Sequence, residues 1–539
     1  MPTTLMKKLE FLECIPKKDL ADFVRSYSHV SQGKLIESLD AEELEGVVFA
    51  LFTYSIFSNE QFRILFFCNA NEDKVFELAF RLGKNAQGTR YKLAIELASF
   101  QWSFGSKIVQ EVKRLFNIPR EYLPHRSSTA EAIDDLLVRE TLTSLFDYQE
   151  EVLEKVHNFL SSDEDKRALI QLPTGSGKTR TATESITKFI SNNPDEDYLL
   201  VWMAHTEELC EQAVESFSKI WREHGPKDAK IGRFWGSYNA IKEIDDIDIL
   251  VAGYQKIVRL EEDDIESFFG TRTVILIVDE AHKALAKTVK RFLLSVLEIN
   301  ELAKLIGLTA TPGRSFSNDL ENKKLAKLFN QNLITAESLG DEPISRLQER
   351  GILADMAPIT RMEYQNEMGF DLSVDDVGDF SAKTLSRLAL DEARNDFIVE
   401  IIKKEIKLGH RVLVFCCNVE HSKLLAVRLA AERVNALSVD CTLRRKDRKN
   451  AIDSFKRGKV KVLTNFGILT TGYDDPTLET ILITRPTQSI VLYSQMLGRG
   501  LRGKAMGGSN ECRIIDISDS AASYGGADSI YEYFTRNWQ

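Results

Sequence analysis

The sequence predicts an α/β protein in which two parallel-sheet units in tandem follow an all-α accessory domain. Three observations carry that prediction. Short unbroken apolar runs, separated by amphipathic helices, recur in two sets, and strands without polar alternation belong to sheets covered on both faces. Ahead of both sets lies a phenylalanine-rich stretch with helical periodicity and few strand signals. The chain has 539 residues, too many for one core and suited to about three domains. The expected division is a helical domain over 1–135, one α/β unit over 136–335 and a second over 336–539.

In the helical part, Val75, Leu78, Ala79 and Leu82 recur at i, i+3, i+4 and i+7 after Asn71, which predicts a helix that Gly83 ends. Ser58 and Gln61 form a second capping-box candidate. Residues 1–135 carry no nuclease, metal or nucleotide signature. They read either as a packed accessory domain or as a surface that docks a partner protein or clamps nucleic acid.

The polar stretch Arg126–Thr129 precedes the first set of runs, which are 168–172, 198–203, 248–252, 274–278 and 305–308. The second set is 411–416, 434–439, 460–465, 480–484 and 512–517. Between the sets, 318–349 reads as polar helix and loop, with the seam between 325 and 360. The acidic segment 371–379 reads as a solvated connector.

Composition excludes several classes. Apolar content of 43% and charged content of 28% are those of a globular domain. A net charge of −11 argues against indiscriminate coating of nucleic acid, though not against a local basic track. One such track is a candidate: Arg444, Arg445, Lys446, Arg448, Lys449, Lys456, Arg457, Lys459 and Lys461 face only Asp447 and Asp453. It reads equally as a solvated helix face, with Ile452 and Phe455 as core. The seven cysteines show no metal spacing and read as free thiols of a reducing cytosol. Met1 to Lys8 lacks the pattern of a signal peptide, and the longest apolar run, Val47 to Phe57, is too short to span a bilayer. A cytoplasmic protein without membrane contact is expected.

The chemistry concentrates in two places. Leu172-Pro173-Thr174-Gly175-Ser176-Gly177-Lys178-Thr179 joins a strand to a helix. Gly175 and Gly177 let successive N–H groups turn toward phosphate oxygens, and the helix N-terminus adds positive potential. Lys178 then reaches the β- and γ-phosphates of ATP, and the Thr179 hydroxyl reaches Mg2+. Leu172 stands where the strict phosphate-loop pattern has its first glycine. Asp279-Glu280-Ala281-His282 ends an apolar run, the place for a metal-holding carboxylate: Asp279 for Mg2+, Glu280 to take a proton from the attacking water.

These motifs resemble superfamily 2 helicases and translocases of the DEAH type. Leu145-Phe146-Asp147-Tyr148-Gln149 is similar to the adenine-reading segment, and Ala204-His205-Thr206-Glu207-Glu208-Leu209 to motif Ia. Gly307-Leu308-Thr309-Ala310-Thr311-Pro312 resembles motif III, Val412-Leu413-Val414-Phe415 motif IV, and Thr470-Thr471-Gly472-Tyr473-Asp474 motif V. Gln495, Gly498, Arg499 and Arg502 fill the fixed positions of motif VI. The wording is most similar to the branch of XPB-like proteins and type I restriction motors, with RIG-I-like RNA sensors as neighbours. Two residues depart from the pattern: Gly253 replaces a threonine or serine, and Gly467 an acidic residue.

The resemblance implies two RecA-like domains that hydrolyse ATP in the cleft between them. It implies that Gln149 reads adenine, that Gly472 and Asp474 border the nucleotide, and that Gln495, Arg499 and Arg502 reach the γ-phosphate. His282, Thr309 and Thr311 then couple hydrolysis to a strand held by His205, Thr206, Thr470 and Thr471, with Arg444 and Arg445 from the basic cluster. Duplex or single-stranded DNA is the favoured track. The alternatives are an RNA-dependent ATPase or sensor and a nucleotide-gated interaction subunit. Repair, restriction and antiviral defence all suit such a motor, with cutting supplied by a partner protein.

Overall fold

The computed structural model describes residues 9–27, 33–84, 89–124, 132–136, 144–313, 319–356, 360–363, 379–469, 475, 477–487, 489–500, 503–506, 511–518 and 538. The expected helical start is present as α1 (Lys17–Tyr27), α2 (Gly33–Ser38), α3 (Ala41–Phe52), α4 (Glu60–Asn69), α5 (Glu72–Arg81), α6 (Arg90–Ala98) and α7 (Lys107–Phe116). Helix α5 is bounded as its residues dictate. The Asn71 side chain accepts from the Lys74 N–H, Gly83 turns to φ +73°, and the Lys84 N–H reaches back to the Ala79 carbonyl at 2.9 Å. The other expected cap moves by one residue. Asn59 caps α4 by accepting from the Phe62 N–H at 2.9 Å, because Ser58 belongs to the preceding 3-10 turn.

The phenylalanines build the core of this domain. Phe57 meets Phe62 edge to face at 5.2 Å and stacks on Trp102 at 6.0 Å. The buried Arg63 joins α4 to α6 by donating to the Ala98 carbonyl at 2.8 Å from Nη2, with its guanidinium over Trp102.

The first α/β unit runs β1 (Ile133–Leu136), α8 (Asp147–Ser161), β2 (Arg167–Gln171), α9 (Lys178–Asn192), β3 (Tyr198–Ala204), α10 (Glu207–His224), β4 (Ala229–Phe234) and β5 (Ile249–Gly253). It continues with α11 (Tyr254–Ile257), α12 (Glu262–Phe269), β6 (Thr273–Asp279), α13 (Lys287–Ile299), β7 (Lys304–Thr309), α14 (Asp319–Leu328), β8 (Leu333–Ile334) and α15 (Pro343–Glu349). Its sheet has the order β1-β4-β5-β3-β6-β7-β2-β8, parallel except for the β1–β4 edge pair. All five expected strands are present. The missed ones, β1, β4 and β8, are the outer strands, where polar residues such as Lys230 and Arg233 interrupt the apolar run.

The second unit runs β9 (Asp355–Met356), β10 (Thr360–Glu363), α16 (Ala382–Leu390), α17 (Glu392–Lys407), β11 (Val412–Phe415), α18 (Val419–Ala431) and β12 (Ala436–Val439). Then come α19 (Arg445–Lys456), β13 (Val462–Asn465), β14 (Thr480–Ile483), α20 (Ile490–Leu497) and β15 (Glu511–Ser518). Its parallel sheet has the order β10-β15-β14-β11-β13-β12, with β9 on β15.

Packing places the seams away from 135 and 335. Strand β1 straddles residue 135 and closes the first sheet, while Leu347, Ile352 and Leu353 pack into the first unit's core. Of the expected connector, 371–378 lies outside the described residues. Asp379 at its end is held, accepting from Thr487 at 3.0 Å and from Arg485 at 3.3 Å.

The helical domain precedes the first unit in sequence yet shares one hydrophobic core with the second. Helix α18 is buried nearly all round, which an apolar helix between two layers requires. One face lies on β12 and β13 and another on α3. Gly46 of α3 lies against Ala430, and Tyr54 meets Ser454 of α19 at 3.2 Å. At the rim, Arg433 reaches Asp40, Glu42 and Glu43, pairs that solvent screens and that contribute little to stability.

Leu44→Ala, at a fully buried site of α3, is expected to cost about 2–5 kcal/mol. Hydrogen exchange should find the loss in α18 and β12 as well as in α1–α7. Protection unchanged in α18 would contradict a shared core.

Candidate active site

Strand β2 ends at Gln171, and Leu172 goes into the core, fully buried, with its N–H on the Thr309 carbonyl at 3.2 Å. A side chain that anchors the loop therefore occupies the place of the first glycine. Gly175 and Gly177 follow at φ +88° and +87°, a region that disfavours a Cβ, and α9 starts at Lys178. The Lys178 Nζ lies 3.5 Å from the Pro173 carbonyl, and Thr179 is half-buried one residue on. Two side chains of α8 brace the loop from below. The Tyr148 hydroxyl donates to the Ser176 carbonyl at 2.7 Å, and Gln149 Nε2 donates to the same oxygen at 3.1 Å. Gln149 Oε1 accepts from the Phe146 N–H at 3.0 Å, so one end of its amide holds the loop and the other the start of its own helix.

Asp279 closes β6 beside this loop. Its carboxyl is raised to about 7, first by burial, then by the adjacent Glu280 carboxylate, against the pull of Lys178. Glu280 turns into the left-handed region at φ +52°, a conformation that costs a non-glycine residue about 1–3 kcal/mol. That turn sends its side chain toward His282, whose Nδ1 lies 3.4 Å from Glu280 Oε2. The buried Tyr254 hydroxyl donates to the Asp279 carbonyl at 2.7 Å, and the His205 ring stands 6.3 Å from the Tyr254 ring. Burial, reinforced by Lys283, holds His205 down to about 3, so it is neutral in the physiological range. Its Nδ1 is buried without a hydrogen bond among the described residues. His205, expected on the strand, thus stands near Glu280, His282 and Lys283.

Thr309 and Thr311 form a closed turn. The Thr309 hydroxyl donates to the Thr311 carbonyl at 2.8 Å and accepts the Thr311 N–H at 3.1 Å. From the second unit, α20 carries Gln495 into a buried position where Nε2 has no hydrogen bond among the described residues. Arg499 donates from Nε to the Gln495 carbonyl at 3.1 Å. The next contact joins the units: a Cβ at Gly498 would lie 2.1 Å from Thr174 Cγ2, so the backbone after α20 rests against the phosphate loop. Arg502, Thr470, Thr471, Gly472 and Asp474 lie outside the described residues.

On the expected track, Thr206 caps α10 by accepting from the Leu209 N–H at 3.3 Å. The exposed Arg444 precedes α19 and pairs with the buried Asp447 at 2.7 Å, and Arg445 opens the helix. Arg448 of α19 bonds Glu208 of α10, so the basic helix meets the motif Ia helix across the units. Phe455 is fully buried and Ile452 packs against the core. Both departures from the family pattern have local causes. At Gly253 a Cβ would stand 3.0 Å from the Trp235 side chain, and Gly467 sits at φ +75°.

Sequence reasoning missed Tyr148, Tyr254 and Thr174. Tyr148 and Thr174 sit inside quoted motifs, and Tyr254 follows β5 directly, but no spacing rule marks a buried phenol as a brace.

Two family models match. The type III restriction enzyme res subunit covers residues 142–314, and the helicase conserved C-terminal domain covers 393–504. The chain belongs to the superfamily 2 helicases. Within them it falls in the restriction-motor branch. IRC3 of Saccharomyces cerevisiae, described as an ATP-dependent helicase, is 28% identical over 380 residues, 69% of this chain and 51% of that one. The endonuclease subunit of the type I restriction enzyme EcoKI of Escherichia coli is 22% identical over 416 residues, 71% and 35% of the two chains. The chain thus spans about half of IRC3 and a third of the EcoKI subunit. A fragment of an HsdR subunit of a type I restriction enzyme from Vibrio vulnificus YJ016 shares the fold, with a TM-score of 0.50 at 20% identity over 71% of this chain and 66% of that one. Among the described residues no helix is long and apolar enough to cross a membrane, and all seven cysteines are free.

The raised carboxyl of Asp279 gives a pH signature. The folded protein holds a proton that the unfolded chain releases near 3.8, so Asp279 lowers stability as pH rises from there through about 7. Asp279→Asn should remove that slope from the nucleotide-free helicase and also abolish Mg2+-dependent turnover. Thermal unfolding between pH 5 and 8 checks this, and a slope kept in the variant would contradict it.

Proposed function

We propose that this helicase is an ATP-driven translocase on nucleic acid, with DNA the favoured track, and that it fires when its two units close on ATP. The observation that carries the reading is the seat of Gly498 against Thr174, which sets the segment bearing Arg499 beside the phosphate loop. ATP would be held by the N–H groups around Gly175 and Gly177, by Lys178, and by Gln149 and the segment with Gly472 and Asp474 at its borders. For Gln149 to read adenine, its amide must leave the Ser176 carbonyl.

The residues fit Mg2+. A buried carboxylate kept from ionising by its surroundings gains from a nearby cation, and Mg2+ asks for one or two protein oxygens beside the phosphates. Asp279 and Thr179 would supply them, and the ion would neutralise phosphate charge. Among the described residues no group of three metal-binding side chains competes for a metal. Glu280, oriented by His282, would accept the proton of the attacking water. Gln495, Arg499 and Arg502 would meet the charge that builds on the γ-phosphate.

The Thr309–Thr311 turn joins the loop at Leu172 and so suits a coupling role together with His282. Strand phosphates would run over the N-terminus of α10 with Thr206, past Thr470 and Thr471, to Arg444 and Arg445 of the basic helix, and His205 would act behind this surface. The Arg448–Glu208 bond supports the track, because it ties the two helices together at that point. The helical domain, joined to the second unit, would travel with it and offer docking surface to a partner in a restriction or defence assembly. A reducing cytosol suits the free thiols.

Arg499→Ala should keep ATP binding and lose stimulated turnover by about 10³–10⁵ if it acts as an arginine finger. ATPase rates with duplex DNA, single-stranded DNA and duplex RNA test both finger and track. Normal turnover in the variant removes Arg499 from the site, and stimulation by RNA alone removes DNA from the reading.

A further inference from the structure

Trp538 lies well beyond β15, the last strand among the described residues, yet its side chain belongs to the core of the first unit. It is 7% exposed, and its indole N–H donates to the Pro312 carbonyl at 2.9 Å. Pro312 follows the Thr309–Thr311 turn, whose two internal hydrogen bonds fix it as a unit. Thr309 in turn accepts the Leu172 N–H at the entrance to the phosphate loop. A continuous series of buried contacts therefore runs from Trp538 through Pro312 and Thr309 to the strand that delivers Lys178.

An indole has one donor and no acceptor, so this bond fixes the direction of the carbonyl it meets. Proline has no N–H, and its carbonyl is the only backbone group through which Pro312 can be held. We propose that Trp538 is a positioning residue that seats the Thr309–Pro312 turn, and that this seat is needed to pass the state of the phosphate loop to the nucleic-acid track. The inference rests on the motor reading above and adds to it a residue outside every motif of the family. It makes the coupling turn of the first unit dependent on a segment that follows the second.

Two variants separate the bond from the bulk. Trp538→Phe keeps an aromatic ring in the seat and removes the donor; Trp538→Ala empties the seat. In both, the ratio of nucleic-acid-stimulated to unstimulated ATP turnover should fall about tenfold, the loss of roughly 1.4 kcal/mol of coupling. KM for ATP should change little, and amide exchange over 307–313 should quicken. Full stimulation with unchanged exchange in Trp538→Phe overturns the proposal. So does a loss confined to Trp538→Ala with a lowered melting temperature, which would leave Trp538 as a packing anchor only. A wild-type protein that no nucleic acid stimulates sinks the motor reading instead, and the exchange comparison then decides by itself whether Trp538 seats the turn.

Discussion

The contact between Gly498 and Thr174 is the constraint on which the rest of the structure depends. On the proposed reading, each unit alone holds half of a hydrolytic site. The first has the phosphate loop, Asp279 and Glu280; the second has Gln495 and Arg499 at the end of α20. Only where α20 ends without a Cβ can its backbone rest on the loop. The absence of a β-carbon at one position thus lets the two segments touch. The buried Nε2 of Gln495, without a hydrogen bond among the described residues, is a donor that a polar guest would satisfy.

A second constraint concerns which parts move together. The helical domain precedes the first unit in the chain but packs on α18 of the second, so mechanical division does not follow chain order. Trp538 makes the reverse crossing, from beyond the second unit into the core of the first. Helix α18, buried on opposite faces, leaves no slack between α3 and the second sheet, because packed interiors transmit displacement. Any movement of the second unit would therefore carry the helical domain with it.

Much of this was legible in the chain. The ten expected strands are there because central parallel strands must be apolar on both faces, and that leaves an unmistakable run. The helix after Asn71 was legible because its two caps are local chemistry. The flanking strands β1, β4 and β8 were not: β1 and β8 are too short to leave a run, and Lys230 and Arg233 interrupt that of β4. The same limit hid the α3–α18 interface: amphipathic periodicity says that a face is buried but not against what. In the candidate site, the glycines, Lys178 and the Asp279-Glu280 pair stand out from what phosphate and magnesium demand, and the structure brings them together. Tyr148 and Tyr254 could not, because they brace backbone carbonyls, and any buried phenol would look alike in sequence. Gly253 and Gly467 read as losses of function-bearing side chains, whereas the structure supplies a crowding Trp235 Cβ for one and a left-handed backbone for the other.

The central claim is that hydrolysis requires the backbone at Gly498 to touch the phosphate loop. The most direct measurement is ATP turnover in Gly498→Ala, alone and combined with Thr174→Gly. The added methyl should hold the units apart and remove most turnover while ATP still binds, and clearing the Thr174 side chain should restore a large part of it. Wild-type turnover in Gly498→Ala, or a loss that Thr174→Gly leaves untouched, would contradict the account.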